Sequence, residues 1–426
     1  MEELRAAGFG EILDKINEVQ REINDLLHHK EVFWHQRSRS IWLPAGDKNT
    51  KYFHQRASQR HRKNTIESLH DSNGVWRTNI GEIAAIAEAY YKGLFTASTE
   101  LSMEDVLTSM DSVVTEEMAR SLTCSYIEEE VLVALFQMHP SKSPGLDGMS
   151  PFFFQKFWHV VGHDVTAAVL SVLHSGRYLH KMNYTHIMLI PKKKDPQLIT
   201  EYRPISLGNV VSRIISKVLA NRAKPILSRV ISDSQSAFVP DRLIINNTFV
   251  AYEMIHKMRN RRRGKVGHME IKLDVSKAYD RVEWEFLEKI MLRIGFPEQW
   301  VNLAMLTIRT ASYSIIINGE PCGYISPSRG IKQEDPLSPY LFLFCVEGLS
   351  SLLRKATETR HLKGLTSCQG GVRISHILFA DGSPLFSEAK MDECRRLMEV
   401  LTQYEKALGQ VINRQKTALF FSRNTC

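Results

Sequence analysis

Between Met269 and Asp280 runs the stretch that most restricts the fold, Met-Glu-Ile-Lys-Leu-Asp-Val-Ser-Lys-Ala-Tyr-Asp. Its first seven residues alternate, so Ile271, Leu273 and Val275 face a core while Lys272 and Asp274 share the opposite face of a strand. Asp274 is thereby carried to a cleft at a strand end. The chain then turns through 276–280 into a helical pattern, Trp284, Leu287, Met291 and Ile294, stopped by Gly295 and Pro297. Strand, exposed carboxylate, tight turn and helix form an arrangement that seats metal-bound phosphate over backbone amides.

Further elements follow from local chemistry. Thr185 to Ile190 read as a strand ending in Pro191-Lys192-Lys193-Lys194, with Arg203 eleven residues beyond Lys192, a spacing that lets two cations clamp a polyphosphate. Residues 208–231 read as an apolar, basic helix. Asn318-Gly319 between strand formers is a hairpin signal. Arg329 to Pro339 form a polar loop entering an apolar helix near 337–354, and Ser375 to Ser383 run a buried strand into a hairpin with Asp381 at its tip. Asp274 and Asp381, from separate strand ends, are candidates to converge on divalent metal for in-line phosphoryl displacement.

Composition narrows the partners. The 426 residues are 43% hydrophobic and 24% charged, as in globular proteins, and carry a formal charge of +8 that favours polyanions. Six scattered cysteines without a Cys-x-x-Cys pair predict reduced, mostly buried thiols and no zinc site. A polar N-terminus and the absence of a long apolar run predict an intracellular protein, nuclear or cytoplasmic, with no membrane partner.

Four stretches admit two readings each. Ile12, Ile16, Val19, Ile23 and Leu26 form a near-heptad stripe, expected to pack on the rest of the protein in preference to a coiled coil. Asp47 to His54, with Arg56, Arg60, Arg62 and Lys63, interleaves cations and aromatics, as a solvated basic face or a nucleic-acid surface. Lys142 to Met149 is either a connector or an anion-facing loop. Arg259 to Lys265 reads as a mobile charged loop or a nucleic-acid contact.

Taken in order, the Lys142–Gly148 loop, Ile190-Pro191-Lys192, Tyr202-Arg203-Pro204-Ile205-Ser206-Leu207, Lys272 to Asp280, Gln333 to Pro339, Phe379-Ala380-Asp381 and Gly409 to Lys416 resemble the reverse transcriptase of LINE-type, non-LTR retrotransposons, of the sort abundant in plants. The resemblance implies an α+β right-hand polymerase body. A mainly helical N-terminal extension with a basic segment occupies 1–140, fingers 141–264, and a palm of antiparallel strands with packed helices 265–426; a thumb is expected to be absent. It implies Mg2+ or Mn2+ on Asp274, Asp381 and the Val275 carbonyl. It further implies that Lys192 and Arg203 hold the triphosphate, Tyr279 excludes a ribose 2′-OH, Gln333 contacts nucleotide and template, and Lys416 lies near departing pyrophosphate. Lys142 with Arg261, Arg262 and Arg263 is expected on RNA template and DNA primer, and Asp280 is expected to be structural.

Three positions depart from the family pattern. Gly382 stands where a second aspartate follows Asp381, Glu334 replaces a glycine and brings negative charge toward the nucleotide phosphates, and Pro384 removes a strand donor, which requires an unpaired or bulged position. The expected activity is RNA-directed DNA polymerisation from dNTPs, impaired by these changes; the rival is a non-catalytic nucleic-acid-binding remnant or domesticated retroelement protein. An intron maturase or viral RNA replicase is disfavoured by Phe379-Ala380-Asp381 and Tyr279.

Overall fold

A computed structural model describes residues 2–38, 50–366, 371–379 and 382–425. Asp381, Cys368, Cys426 and the start of the basic segment at Asp47 lie outside the described residues. Among those described, the strands in chain order are β1 (Leu69–His70), β2 (Trp76–Arg77), β3 (Tyr184–Pro191), β4 (Tyr202–Leu207), β5 (His268–Asp274), β6 (Ser312–Ile317), β7 (Glu320–Ile325), β8 (Leu365–Thr366), β9 (Arg373–Ile374), β10 (Gly382–Glu388) and β11 (Ala418–Phe421).

Two sheets position everything that follows. The expected strand around Asp274 is β5, the centre of an antiparallel sheet in the order β10-β5-β11. Leu385 opposes Ile271 and Gly382 opposes Asp274. The second sheet runs β4-β3-β6-β7, with β3 parallel to β6 and the other pairs antiparallel. Its Asn318-Gly319 turn has φ of 52° and 103°, the left-handed pair that a two-residue hairpin demands.

Helices bury both sheets. The helix Ser338–Glu358 is apolar around most of its circumference and lies at the centre of the main core, where Phe344, Cys345 and Leu353 are fully buried against Phe286, Ile290 and Trp300. On the second sheet the helix Ile80–Leu94 lays down Ile83, Ala87, Tyr91 and Leu94 at steps of four, four and three against Ile187, Leu189, Ile315 and Ile317. Asn79 starts that helix by accepting from the Gly81 amide at 2.8 Å. Gly295 ends the helix Trp284–Ile294 at φ 103°, as the Gly-x-Pro signal required.

Several expectations need correction. The stripe on the helix Glu2–Ser38 is not packed on the protein: Ile16, Val19, Ile23 and Leu26 are 57%, 53%, 44% and 67% exposed, because the short neighbouring helix Thr50–Asn64 reaches only its C-terminal end, where His54 meets Trp34. Of the described cysteines, only Cys345 is buried. Pro384 is neither unpaired nor bulged but sits in register with Lys272. It is tolerated because the amides of Gly382 and Phe386 donate to Phe379 and Ser375, so by alternation the missing Pro384 donor also faces that side, and the β5 ladder loses nothing. In the Lys142–Met149 loop the amides of Lys142, Asp147, Gly148 and Met149 donate to His139, Asn209, Gly145 and Asp147, and a side chain at Gly145 would strike the Asn209 backbone at 2.6 Å.

Candidate active site

The end of β5 is held from one side by the segment 411–413. Asn413 donates its amide to the Asp274 carbonyl at 2.8 Å and Ser276 donates to Val411 at 2.9 Å. Those two bonds leave the carbonyl of Val275 turned toward the β10 side. Asp274 is half-buried, and its carboxylate has no hydrogen-bond or ion-pair partner among the described residues. Burial without a partner costs a carboxylate free energy, and a hard cation bound by oxygen ligands relieves that cost. Gly382, the residue after Asp381, is the strand partner of Asp274, and a Cβ built on it meets nothing within 4 Å. No cluster of three metal-binding side chains occurs among the described residues.

Beside this strand end opens a cavity of about 750 Å³. One wall is the β3–β4 hairpin, which presents Lys192 and Arg203. Their proximity follows from register: Arg203 opposes Ile190, and the Lys192 amide donates to Glu201 at 2.9 Å. The floor is the turn after β5, with Val275, Lys277, Tyr279 and Asp280, and the far wall is the loop of Gln333 and Glu334. Lys277 takes φ 55° and donates to the Tyr202 carbonyl at 3.1 Å. Burial first, then repulsion from Lys192, lowers its pKa to about 8. Tyr279 stacks on Phe342 with ring centroids 4.9 Å apart, which fixes its ring at the cavity edge.

Gln333 is a bridge. Its side-chain amide donates to Asp280 at 2.9 Å and its carbonyl accepts from Ser206 of β4 at 3.3 Å. Asp280 is 2% exposed, and burial pushes its carboxyl above the usual range despite Gln333, Lys277 and Lys192. That matches a structural residue. Glu334 adopts φ 76°, where a glycine is at ease, and meets Lys142 at 3.2 Å. Its charge is thus partly answered by a lysine instead of standing alone toward the cavity.

The cavity therefore gathers Lys142, Lys192, Arg203, Val275, Tyr279 and Gln333. Asp274 adjoins it through Val275, whereas Lys416 lies in the turn after Asn413 and lines no part of it. Arg261, Arg262 and Arg263 are on a separate surface after the helix Ile244–Asn260, where Asn424 binds the carbonyls of Gly264 and Val266 at 3.2 and 2.9 Å. Sequence reasoning missed Lys277, Arg213 and Lys217. The last two stand four residues apart on the helix Val210–Ala223, a spacing that puts both on one face. Burial lowers the pKa of each.

Residues 190–426 match the family model described as reverse transcriptase (RNA-dependent DNA polymerase). Over 384 residues, 90% of the chain, it is 28% identical to a protein of Xenopus laevis named Transposon TX1 uncharacterized 149 kDa protein. Over 278 residues, 65% of the chain, it is 26% identical to the retrovirus-related Pol polyprotein from type-2 retrotransposable element R2DM of Drosophila melanogaster. A 66-residue stretch is 54% identical to an uncharacterized mitochondrial protein of Arabidopsis thaliana. The chain spans 29% and 24% of the lengths of the first two relatives.

Proposed function

The chain belongs to the reverse transcriptase family, and from that premise we propose that it is a non-LTR retrotransposon polymerase domain whose cavity takes a deoxynucleoside triphosphate opposite an RNA template. In this reading 141–264 act as fingers, 265–426 as palm, and β6–β7 extend the fingers sheet from the palm side. The observation that carries it is the convergence of Lys192, Arg203 and Lys277 on one cavity beside Asp274, whose carboxylate has no partner among the described residues.

The reaction joins the primer 3′-OH to the α-phosphorus and releases pyrophosphate. Lys192 and Arg203 grip the triphosphate from the hairpin, and Lys277 adds a third cation from the palm turn, each contact charge-assisted. The Tyr279 ring, braced by Phe342, occupies the space that a ribose 2′-OH would enter. Gln333 ties hairpin to palm, so nucleotide bound against one wall stiffens the other. Mg2+ or Mn2+ would be held by Asp274, Asp381 and the Val275 carbonyl, and supplies Lewis-acid stabilisation of charge on the phosphate oxygens. The departures at Gly382 and Glu334 weaken this: one carboxylate is missing, and Glu334 competes with the phosphates for Lys142.

Fluorescent dNTP titration tests the assignment. Lys192→Ala with Arg203→Ala should weaken binding at least tenfold, the effect of losing charge-assisted contacts each worth about 1.5–3 kcal/mol. Equal affinity in wild type and double variant would sink the cavity as the nucleotide site.

A further inference from the structure

The β3–β4 hairpin has a second basic face. Lys192 and Arg203 look into the cavity described above, but Lys193 and Lys194 line another, of about 660 Å³, on the far side, with Tyr202 in its wall. Across it stand Arg62 and Lys63, in the last turn of the helix Thr50–Asn64, a helix with seven basic residues and no carboxylate. Among the described residues Glu67 and Asp195 are the only acidic lining, and Lys193 is engaged by Glu201 at 2.6 Å. At the mouth Trp76 is 46% exposed although aromatic, with its ring held edge-on by His70 at 4.4 Å.

The walls are tied in place. Asn318, in the β6–β7 turn, donates to the Ile66 carbonyl at 2.9 Å and accepts the Ile66 amide at 2.8 Å. His70 donates its amide to Gln197 at 2.9 Å, fastening β1 to the β3–β4 loop. A preformed groove with clustered cations and one presented aromatic ring has the two parts that sequence-tolerant single-strand binding needs: charge for phosphates and a face for a base. Duplex offers no free base face, so the exposed Trp76 favours a single strand.

We infer that this groove, bounded by Arg62, Lys63, Trp76, Lys193 and Lys194, binds single-stranded RNA, with a base stacked on Trp76 and the backbone across the cations. It rests on the polymerase reading only in naming that strand as template not yet copied, which would pass behind the hairpin whose other face grips the nucleotide.

The test uses the whole chain and two labelled probes: a primed RNA template with a 12-nucleotide unpaired 5′ extension, and the same duplex with blunt ends. Trp76→Ala should weaken binding of the extended probe about tenfold, the loss of one stacked base, and leave the blunt probe unchanged. Trp76→Phe should retain most of the affinity. Arg62→Ala with Lys63→Ala should lower the slope of log affinity against log salt by about 1.4, two single-strand phosphate contacts, and melting curves establish that each variant is folded. Equal loss on both probes, or no loss on either, overturns the groove assignment. If groove variants bind normally while Lys192→Ala with Arg203→Ala loses nucleotide, the groove alone fails; if wild type binds neither probe nor nucleotide, both readings fail.

Discussion

Replacing Gly382 with aspartate should make the protein's stability depend on divalent metal. Gly382 and Asp274 are directly opposed on β10 and β5, and the Gly382 amide donates away from β5, so they form a non-hydrogen-bonded pair with side chains about 4.5–5.5 Å apart at Cβ. The new side chain meets no steric obstacle. Two carboxylates about 5 Å apart repel by about 3 kcal/mol at an effective dielectric near 20, of which about 1 kcal/mol survives relaxation and partial exposure. Metal-free Gly382→Asp should therefore melt roughly 1–2 °C below wild type at pH 7, in a chain this large. Repulsion raises the folded carboxyl above its unfolded value, so the deficit vanishes in acid and grows as pH rises through that raised value. Mn2+ at a hundred times its dissociation constant returns about 2.7 kcal/mol. Differential scanning calorimetry with and without Mn2+ decides it. The same response in wild type and variant, or abolition of neither response by Asp274→Ala, would refute the reasoning.

Other consequences follow from the same geometry. Because Lys277 is held at about 8, nucleotide affinity in wild type should fall between pH 7 and 9, and Lys277→Ala should flatten that profile in the same titration. The unfolded lysine keeps its proton to about 10.4, so denaturant unfolding of wild type should show this site adding stability from pH 8 upward, with the sign lost in the variant. Gln333→Ala leaves both oxygens of the buried Asp280 without partners and should cost about 1–3 kcal/mol in urea unfolding; a loss under 0.5 kcal/mol, about the spread of surface substitutions, would contradict the bridge. At Glu334, with φ 76°, glycine should stay within about 1 kcal/mol of wild type, since relief of left-handed strain offsets backbone entropy and a surface ion pair, while Glu334→Val should cost more than that.

What was legible in the sequence was whatever local chemistry decides. β5 with Asp274, the Gly295 stop and the Asn318-Gly319 hairpin each rest on a few adjacent residues, and the structure has them. The pairing of Lys192 with Arg203 was legible because a hairpin fixes its own register. Lys277, Arg213 and Lys217 were not, since each joins the cavity through contacts far along the chain, and a cation on an apolar helix looks the same in sequence whether it faces water or a site. The exposed stripe of the helix Glu2–Ser38 failed for the converse reason: spacing says which residues share a face, and nothing in it says whether a neighbour covers that face. Pro384 was misjudged because the direction of a missing donor depends on strand phase, which only the ladder reveals.

The most direct test of the central claim is incorporation of a single deoxynucleotide on a primed RNA template. Five chains are compared: wild type, Gly382→Asp, Glu334→Gly, the two changes together, and the two changes together with Asp274→Ala. The double variant is predicted to extend the primer measurably, each single variant far less and wild type least, with Asp274→Ala abolishing the gain. Incorporation by wild type equal to the double variant, or extension that survives Asp274→Ala, would contradict the account.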